Sequence, residues 1–80
     1  MENLRLFTGT WCPFCKRVEF FISKNNISDI EIINIDKDKD ARDYLIEKGG
    51  MRQVPCLFIG EKPMYESRDI INYLKDRYEK

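Results

Sequence analysis

"LRLFTGTWCPFCKRVEFFISKNN", residues 4–26, is the stretch that decides the fold. Leu4 to Thr8 has the pattern of a short β-strand, with Leu4 and Leu6 on one face, and Gly9 and Thr10 break it. Pro13 fits the first position of a helix, where its missing N–H would have no intrahelical acceptor in any case. Cys12 is then the N-cap. Val18, Phe21, Ile22 and Phe14 recur at helical spacing as an apolar stripe that ends near Asn25 and Asn26. A strand leading directly into an amphipathic helix opens a βαβ unit.

The chain downstream supplies the remaining parts. "ISDIEIINID" carries a second strand over Glu31 to Ile35, rich in β-branched residues and closed by a polar turn. Asp36, Asp38 and Asp40 are alternative caps for a second helix, in which Ala41, Tyr44 and Leu45 form the apolar stripe before Gly49 and Gly50. "VPCLFIG" reads as a third strand and "KPMYE" as a short fourth, joined through Gly60 and Glu61 in an antiparallel turn. Ser67 can cap a last helix whose Ile70, Ile71, Leu74 and Tyr78 align inward, with Asp69 well placed in its first turn. The order βαβαββα combines a parallel βαβ unit with an antiparallel hairpin, a mixed four-stranded α/β sheet with helices on both faces.

Composition narrows the class. The chain has 80 residues, 14 basic and 14 acidic, so no polycationic field draws it to nucleic acid. One compact domain over residues 1–80 is expected, with a small core because a chain this short buries only about 60% of its unfolded surface. Three unevenly placed cysteines do not make a disulfide-stapled secreted scaffold. The apolar runs fall well short of the roughly 20 residues that span a bilayer, and "MENLRLFTG" lacks the features of a secretory signal. A cytoplasmic, reducing setting is the expectation, with no membrane association.

The C-x-x-C of Cys12 and Cys15 leaves three readings open: a redox couple, half of a metal site, or inert thiols. Its place at a helix start favours the first. Thiolate is the attacking form of cysteine, and helix-end N–H groups stabilise negative charge at Cys12. Cys15, at the third helical position, can approach the same end, so disulfide formation between them is an intramolecular exchange. Lys16, four residues after Cys12, adds positive potential, and Arg17 does so less directly. With no histidine in the chain, a four-ligand zinc site would need Cys56 plus an acidic ligand, or a second chain. Trp11 and Phe14 either form an exposed apolar collar beside the sulfur or pack over the helix end. Cys56, in a strand, reads as a small buried side chain or as an auxiliary redox or glutathionylated site.

Taken together, "WCPFCKR", "QVPCLFIG" and "YESRDIINYL" resemble a small glutaredoxin of the thioredoxin superfamily over nearly the entire chain. The last segment is also similar to the glutathione-binding end of the thioredoxin-like domain in glutathione transferases. The resemblance implies a thioredoxin-like fold, with Cys12 as exposed nucleophile and Cys15 as resolving thiol. It implies that Val54 and a cis-Pro55 wall a glutathione groove, where the Val54 backbone pairs with the tripeptide in β fashion. Glu66 would receive the glutathione ammonium, Ser67 and the helix-start amides its α-carboxylate, and Arg52 would steer a carboxylate. Three positions depart from the family pattern. Gly9 stands where many glutaredoxins carry a basic residue, leaving that role to Lys16 or Arg52; Phe14 replaces a tyrosine; "ESRD" replaces "CSD".

The resulting expectation is a monomeric glutathione-dependent thiol–disulfide oxidoreductase. Its partners would be glutathione and disulfide-containing or glutathionylated proteins or small disulfides, with no tightly bound metal. The alternative from another class is a glutathione- or thiolate-binding module, including a dimer that holds an iron–sulfur cluster or metal.

Overall fold

A computed structural model describes residues 3–78. The elements follow the expected order: β1 (Leu4–Thr8), α1 (Pro13–Lys24), β2 (Ile30–Asn34), α2 (Lys39–Gly49), β3 (Cys56–Ile59), β4 (Lys62–Tyr65) and α3 (Ser67–Tyr78). The sheet runs β2-β1-β3-β4, with β1 parallel to β2 and antiparallel to β3, and β3 antiparallel to β4. This is the thioredoxin-like arrangement, a mixed four-stranded sheet with helices on both faces.

Local chemistry sets most boundaries. Pro13 opens α1 with Cys12 as its N-cap. Asp38 caps α2, its carboxylate accepting the Ala41 N–H at 3.0 Å, and Gly50 ends that helix at φ 84, a left-handed turn that costs glycine little. Several boundaries differ from the sequence reading: β3 is confined to Cys56–Ile59 within "VPCLFIG", and β4 ends at Tyr65, one residue before Glu66. β2 starts and ends one residue earlier than Glu31–Ile35, because Ile30 is in register with Leu4; Ile35 is buried beyond the strand, its N–H donating to the Thr8 carbonyl at 2.9 Å. Ser67, read as a cap, is instead the first residue of α3. The Glu66 carbonyl accepts the Ile70 N–H at 3.0 Å, so Glu66 takes the cap position, with a left-handed backbone at φ 72.

The sheet divides the core in two. On one face Leu4, Leu6 and Leu57 meet Val18 and Ile22 of α1 and Ile70 and Leu74 of α3. On the other, Phe7, Cys56 and Phe58 pack with Ile35 and Leu45, and Ala41 and Tyr44 cover the edge. Each buried leucine, isoleucine or phenylalanine contributes roughly 1.5–3 kcal/mol relative to exposure. The first face therefore clamps α1 firmly from behind, which fixes the helix start that carries Cys12. Among the described residues no helix is long and apolar enough to cross a membrane.

Candidate active site

Cys12 sits half-buried at the start of α1, and Cys15 one turn later is fully buried. The two are joined as a disulfide, with Cα atoms 5.2 Å apart. The Cys15 backbone N–H donates to the Cys12 sulfur at 3.1 Å. No acidic residue occupies the first turn of α1. On reduction the same amide and the positive helix end stabilise a thiolate at Cys12 without a competing carboxylate in that turn. The pair is therefore asymmetric: one sulfur is reachable and electrostatically supported, and the other lies behind it.

The facing wall comes from the β3 approach. The Val54–Pro55 peptide is cis, and the Val54 carbonyl oxygen lies 3.7 Å from the Cys12 sulfur. Gly9 makes this approach possible. A Cβ there would stand 3.3 Å from Val54 Cγ2 and 3.8 Å from the Cys12 Cβ, so the missing side chain lets the β1–α1 loop close on Val54. On the far side of Val54 from the sulfur, a groove of about 310 Å³ lies between the α1 and α3 starts, walled by Phe14, Arg17, Val54, Pro55, Glu66 and Ser67. The left-handed Glu66 turns the chain from β4 into α3 and keeps its own side chain exposed, while Ser67 is buried.

On the other side of Cys12 a depression of about 370 Å³ is formed with Thr10, Trp11, Pro13 and Lys16. Of the two readings for the aromatics, exposure is the outcome: Trp11 is 94% exposed and Phe14 57%. Trp11 borders the Cys12 depression, and Phe14 walls the neighbouring groove. Lys16 thus borders the Cys12 depression, and Val54, Pro55, Glu66 and Ser67 share the groove. Arg52 is not among the walls of either; its guanidinium lies 3.9 Å from Asp36 Oδ1, and both groups are solvent-exposed.

Sequence reasoning missed a brace beneath the Cys12 loop. Asp36 was legible only as one of three helix caps, yet its carboxylate accepts the Thr10 N–H at 2.7 Å, and Asn34 Nδ2 donates to the Thr10 hydroxyl at 3.1 Å. The Thr10 amide, helped by Arg52 and Arg42, holds the Asp36 carboxyl below its ordinary range. The polar "NID" after a β-branched run was the only available signal, and nothing local tied it to residue 10.

Cys56 is the opposite case. It is fully buried, and desolvation pushes its thiol up to about 11 despite hydrogen bonding from Tyr65 and the Met64 backbone. It is a core residue. Among the described residues no three histidine, cysteine, aspartate or glutamate side chains gather as a metal site.

The arrangement can be placed among known proteins. The family model described as Glutaredoxin matches residues 4–64. The chain is 30% identical over 61 residues to the glutaredoxin of Neisseria meningitidis serogroup A, covering 76% of this chain and 72% of that protein. Its fold superimposes on a buckwheat glutaredoxin–glutathione complex with a TM-score of 0.71 and 25% identity, over 96% of this chain and 72% of the other. Human glutathione-S-transferase T1-1, in its apo form, gives a TM-score of 0.80 at 28% identity, over 95% of this chain but 32% of the transferase. The family match takes in the Cys12–Cys15 pair and the Val54–Pro55 segment that faces it, and with this the chain belongs to the glutaredoxin family.

Proposed function

We propose that this protein is a glutathione-dependent thiol–disulfide oxidoreductase, with Cys12 as nucleophile and Cys15 as resolving thiol. The observation that carries the reading is the half-open Cys12 sulfur receiving a helix-start amide in front of a buried Cys15. The family membership and the likeness to a glutaredoxin crystallised with glutathione support the choice of co-substrate.

In the monothiol route the Cys12 thiolate attacks the glutathione sulfur of a mixed disulfide. The old S–S bond breaks, the substrate leaves as thiolate and takes up a proton, and Cys12 carries the glutathione. A second glutathione thiolate then attacks that glutathione sulfur, releasing glutathione disulfide and restoring Cys12. In the dithiol route Cys12 attacks a substrate disulfide, Cys15 displaces the substrate from the mixed disulfide, and two glutathione molecules reduce the resulting pair. Both routes balance with two glutathione molecules oxidised per substrate disulfide reduced, the glutathione already in a mixed disulfide counting as one of them.

The groove offers complementary groups for the tripeptide. Val54 presents backbone for β-like pairing, Glu66 receives the ammonium, and Ser67 with the α3-start amides receives the α-carboxylate. Lys16, beside Cys12, supplies the positive potential that the Gly9 position lacks. Arg52, engaged with Asp36, steers a carboxylate only by leaving that exposed pairing, whose cost is small. A reducing, cytoplasmic compartment suits this chemistry, because the glutathione pool there keeps the Cys12–Cys15 pair turning over.

The deciding experiment is turnover of a glutathionylated peptide by wild type, Cys12→Ser and Cys15→Ser, with mass spectrometry of the mixed intermediate. Cys12→Ser should abolish turnover, and Cys15→Ser should retain deglutathionylation while losing reduction of peptide disulfides. Full activity in Cys12→Ser overturns the assignment.

A further inference from the structure

Beyond the groove at Cys12, a second one runs along the same helix. It holds about 410 Å³ between α1 and α3, and its walls include Arg17, Phe20, Phe21, Lys24, Ile71 and Lys75. Arg17 belongs to both grooves, so the two form one track, and its near end is walled by Val54, whose carbonyl lies 3.7 Å from the Cys12 sulfur. The track follows from helical spacing. Phe14, Arg17, Phe21 and Lys24 recur every three or four residues along one flank of α1, while Cys15, Val18 and Ile22 face the core. On α3 the residues turned to the same track are Arg68, Ile71 and Lys75, and Asp69 and Asp76 fall on a different flank of the helix and wall neither groove.

Charge on this track is one-sided in a chain with no net charge. Arg17, Lys24, Arg68 and Lys75 are all exposed, and among the described residues the only carboxylate on either groove is Glu66, at the Cys12 end. The two ion pairs among the described residues, Lys39–Asp43 and Arg52–Asp36, draw on none of these cations. Apolar surface lies between them: Phe20 is 67% exposed, and Arg17 stands over the Phe14 ring at 5.9 Å. Four cations around an aromatic floor are built for an extended chain that carries carboxylates and an apolar side chain.

We propose that the α1–α3 track docks an acidic segment of the protein substrate whose disulfide Cys12 attacks. This rests on the exchange reading above and names its substrate class. The segment lies a few residues from the reactive cysteine. A helix rises about 1.5 Å per residue, so Lys24 stands roughly 18 Å along α1 from Cys12. An extended peptide covers that span in about five or six residues.

The test uses two labelled ten-residue peptides whose reactive cysteine is replaced by serine, one with aspartates and a leucine four to seven residues downstream, the other with lysines in place of the aspartates. Binding is followed by fluorescence anisotropy at low and physiological salt, with wild type and with the double variant Lys24→Glu/Lys75→Glu, whose side chains lie outside the Cys12 groove. Wild type should bind the acidic peptide at least tenfold more tightly than the basic one. The double variant should lose about tenfold for the acidic peptide, and added salt should weaken the wild-type complex. Its turnover of a small glutathione mixed disulfide should stay at the wild-type rate. Equal affinity for the two peptides, or an acidic-peptide affinity unchanged in the double variant, overturns the docking proposal. Absence of small-disulfide turnover in wild type speaks against the exchange reading alone, since the anisotropy measurement does not depend on it.

Discussion

Cys12 and Cys56 lie at facing ends of the Cys12 loop and β3, separated by Val54 and Pro55, and their environments oppose each other at every level. Cys12 is outside regular structure, at a helix start that directs an amide at its sulfur and leaves one side open. Cys56 is inside a strand, paired with Phe7 and Tyr65 and enclosed by Phe58 and Leu45. One residue type thus yields an amide-contacted, partly open sulfur or an enclosed core atom, according to whether backbone amides or hydrocarbon surround it. What surrounds a cysteine follows from its place on a helix end or within a strand.

The sharpest way to break this contrast is alkylation of the reduced protein. With its thiol pushed up to about 11, Cys56 is thiolate in only about one molecule in ten thousand at pH 7, and burial blocks access besides. Iodoacetamide at pH 7 should therefore modify Cys12 at least about a thousandfold faster than Cys56. Peptide mass mapping against time checks this, and comparable rates would erase the distinction.

Substitution should then separate chemistry from packing. Cys56→Ala removes a fully buried sulfur and should cost about 1–2 kcal/mol, lowering Tm by roughly 5–10 °C in a chain this size, with exchange kinetics within about twofold of wild type. Calorimetry and a glutathione mixed-disulfide assay read the two effects. A large kinetic loss in the folded variant would give Cys56 a redox role.

The same burial has an alkaline signature. Cys56 ionises near 9.0 when unfolded and near 11 when folded, so the unfolded chain releases this proton first as pH rises. The stabilisation it contributes is complete below about pH 9 and is lost progressively between there and about pH 11. Tyr65, pushed up to about 12 chiefly by burial and further by the neighbouring Cys56, adds to the loss at still higher pH. Cys56→Ala should flatten the first part of this decline in urea unfolding measured across that range.

The smallest effect concerns the brace on the Cys12 side. Asp36→Ala frees the Thr10 amide and should slow Cys12 exchange about two- to threefold with little change in Tm, because the lost bond is solvent-exposed. In wild type the Asp36 contribution is present above the unfolded carboxyl value of 3.8 and fades as pH falls through the lower folded one. An alkylation rate for Cys12 unchanged by the substitution would show that the loop holds its shape without Asp36.

Much of this fold is legible in the sequence. Pro13 after Cys12 and the glycine pair Gly49–Gly50 are local signals that mark helix ends, whereas the cap of α2 is legible only as one of Asp36, Asp38 and Asp40, of which the structure takes Asp38. The β2 boundary slipped by one residue because register depends on the partner: Ile30 pairs with Leu4, 26 positions away, and local sequence does not specify that pairing. Ser67 misled for a related reason, since the left-handed Glu66 shifts the helix start and a glutamate gives no sign of that conformation. The braces from Asn34 and Asp36 to Thr10, and the engagement of Arg52 with Asp36, join distant segments and have no periodic signature at all.

Complete enclosure of Cys15 gives the closed pair a direction. An incoming reductant meets a single sulfur, so every opening of the bond would begin with the newcomer attached to Cys12 and would free Cys15 inside the protein. Solution thiols and oxidants would then reach the interior partner only by way of what its neighbour carries.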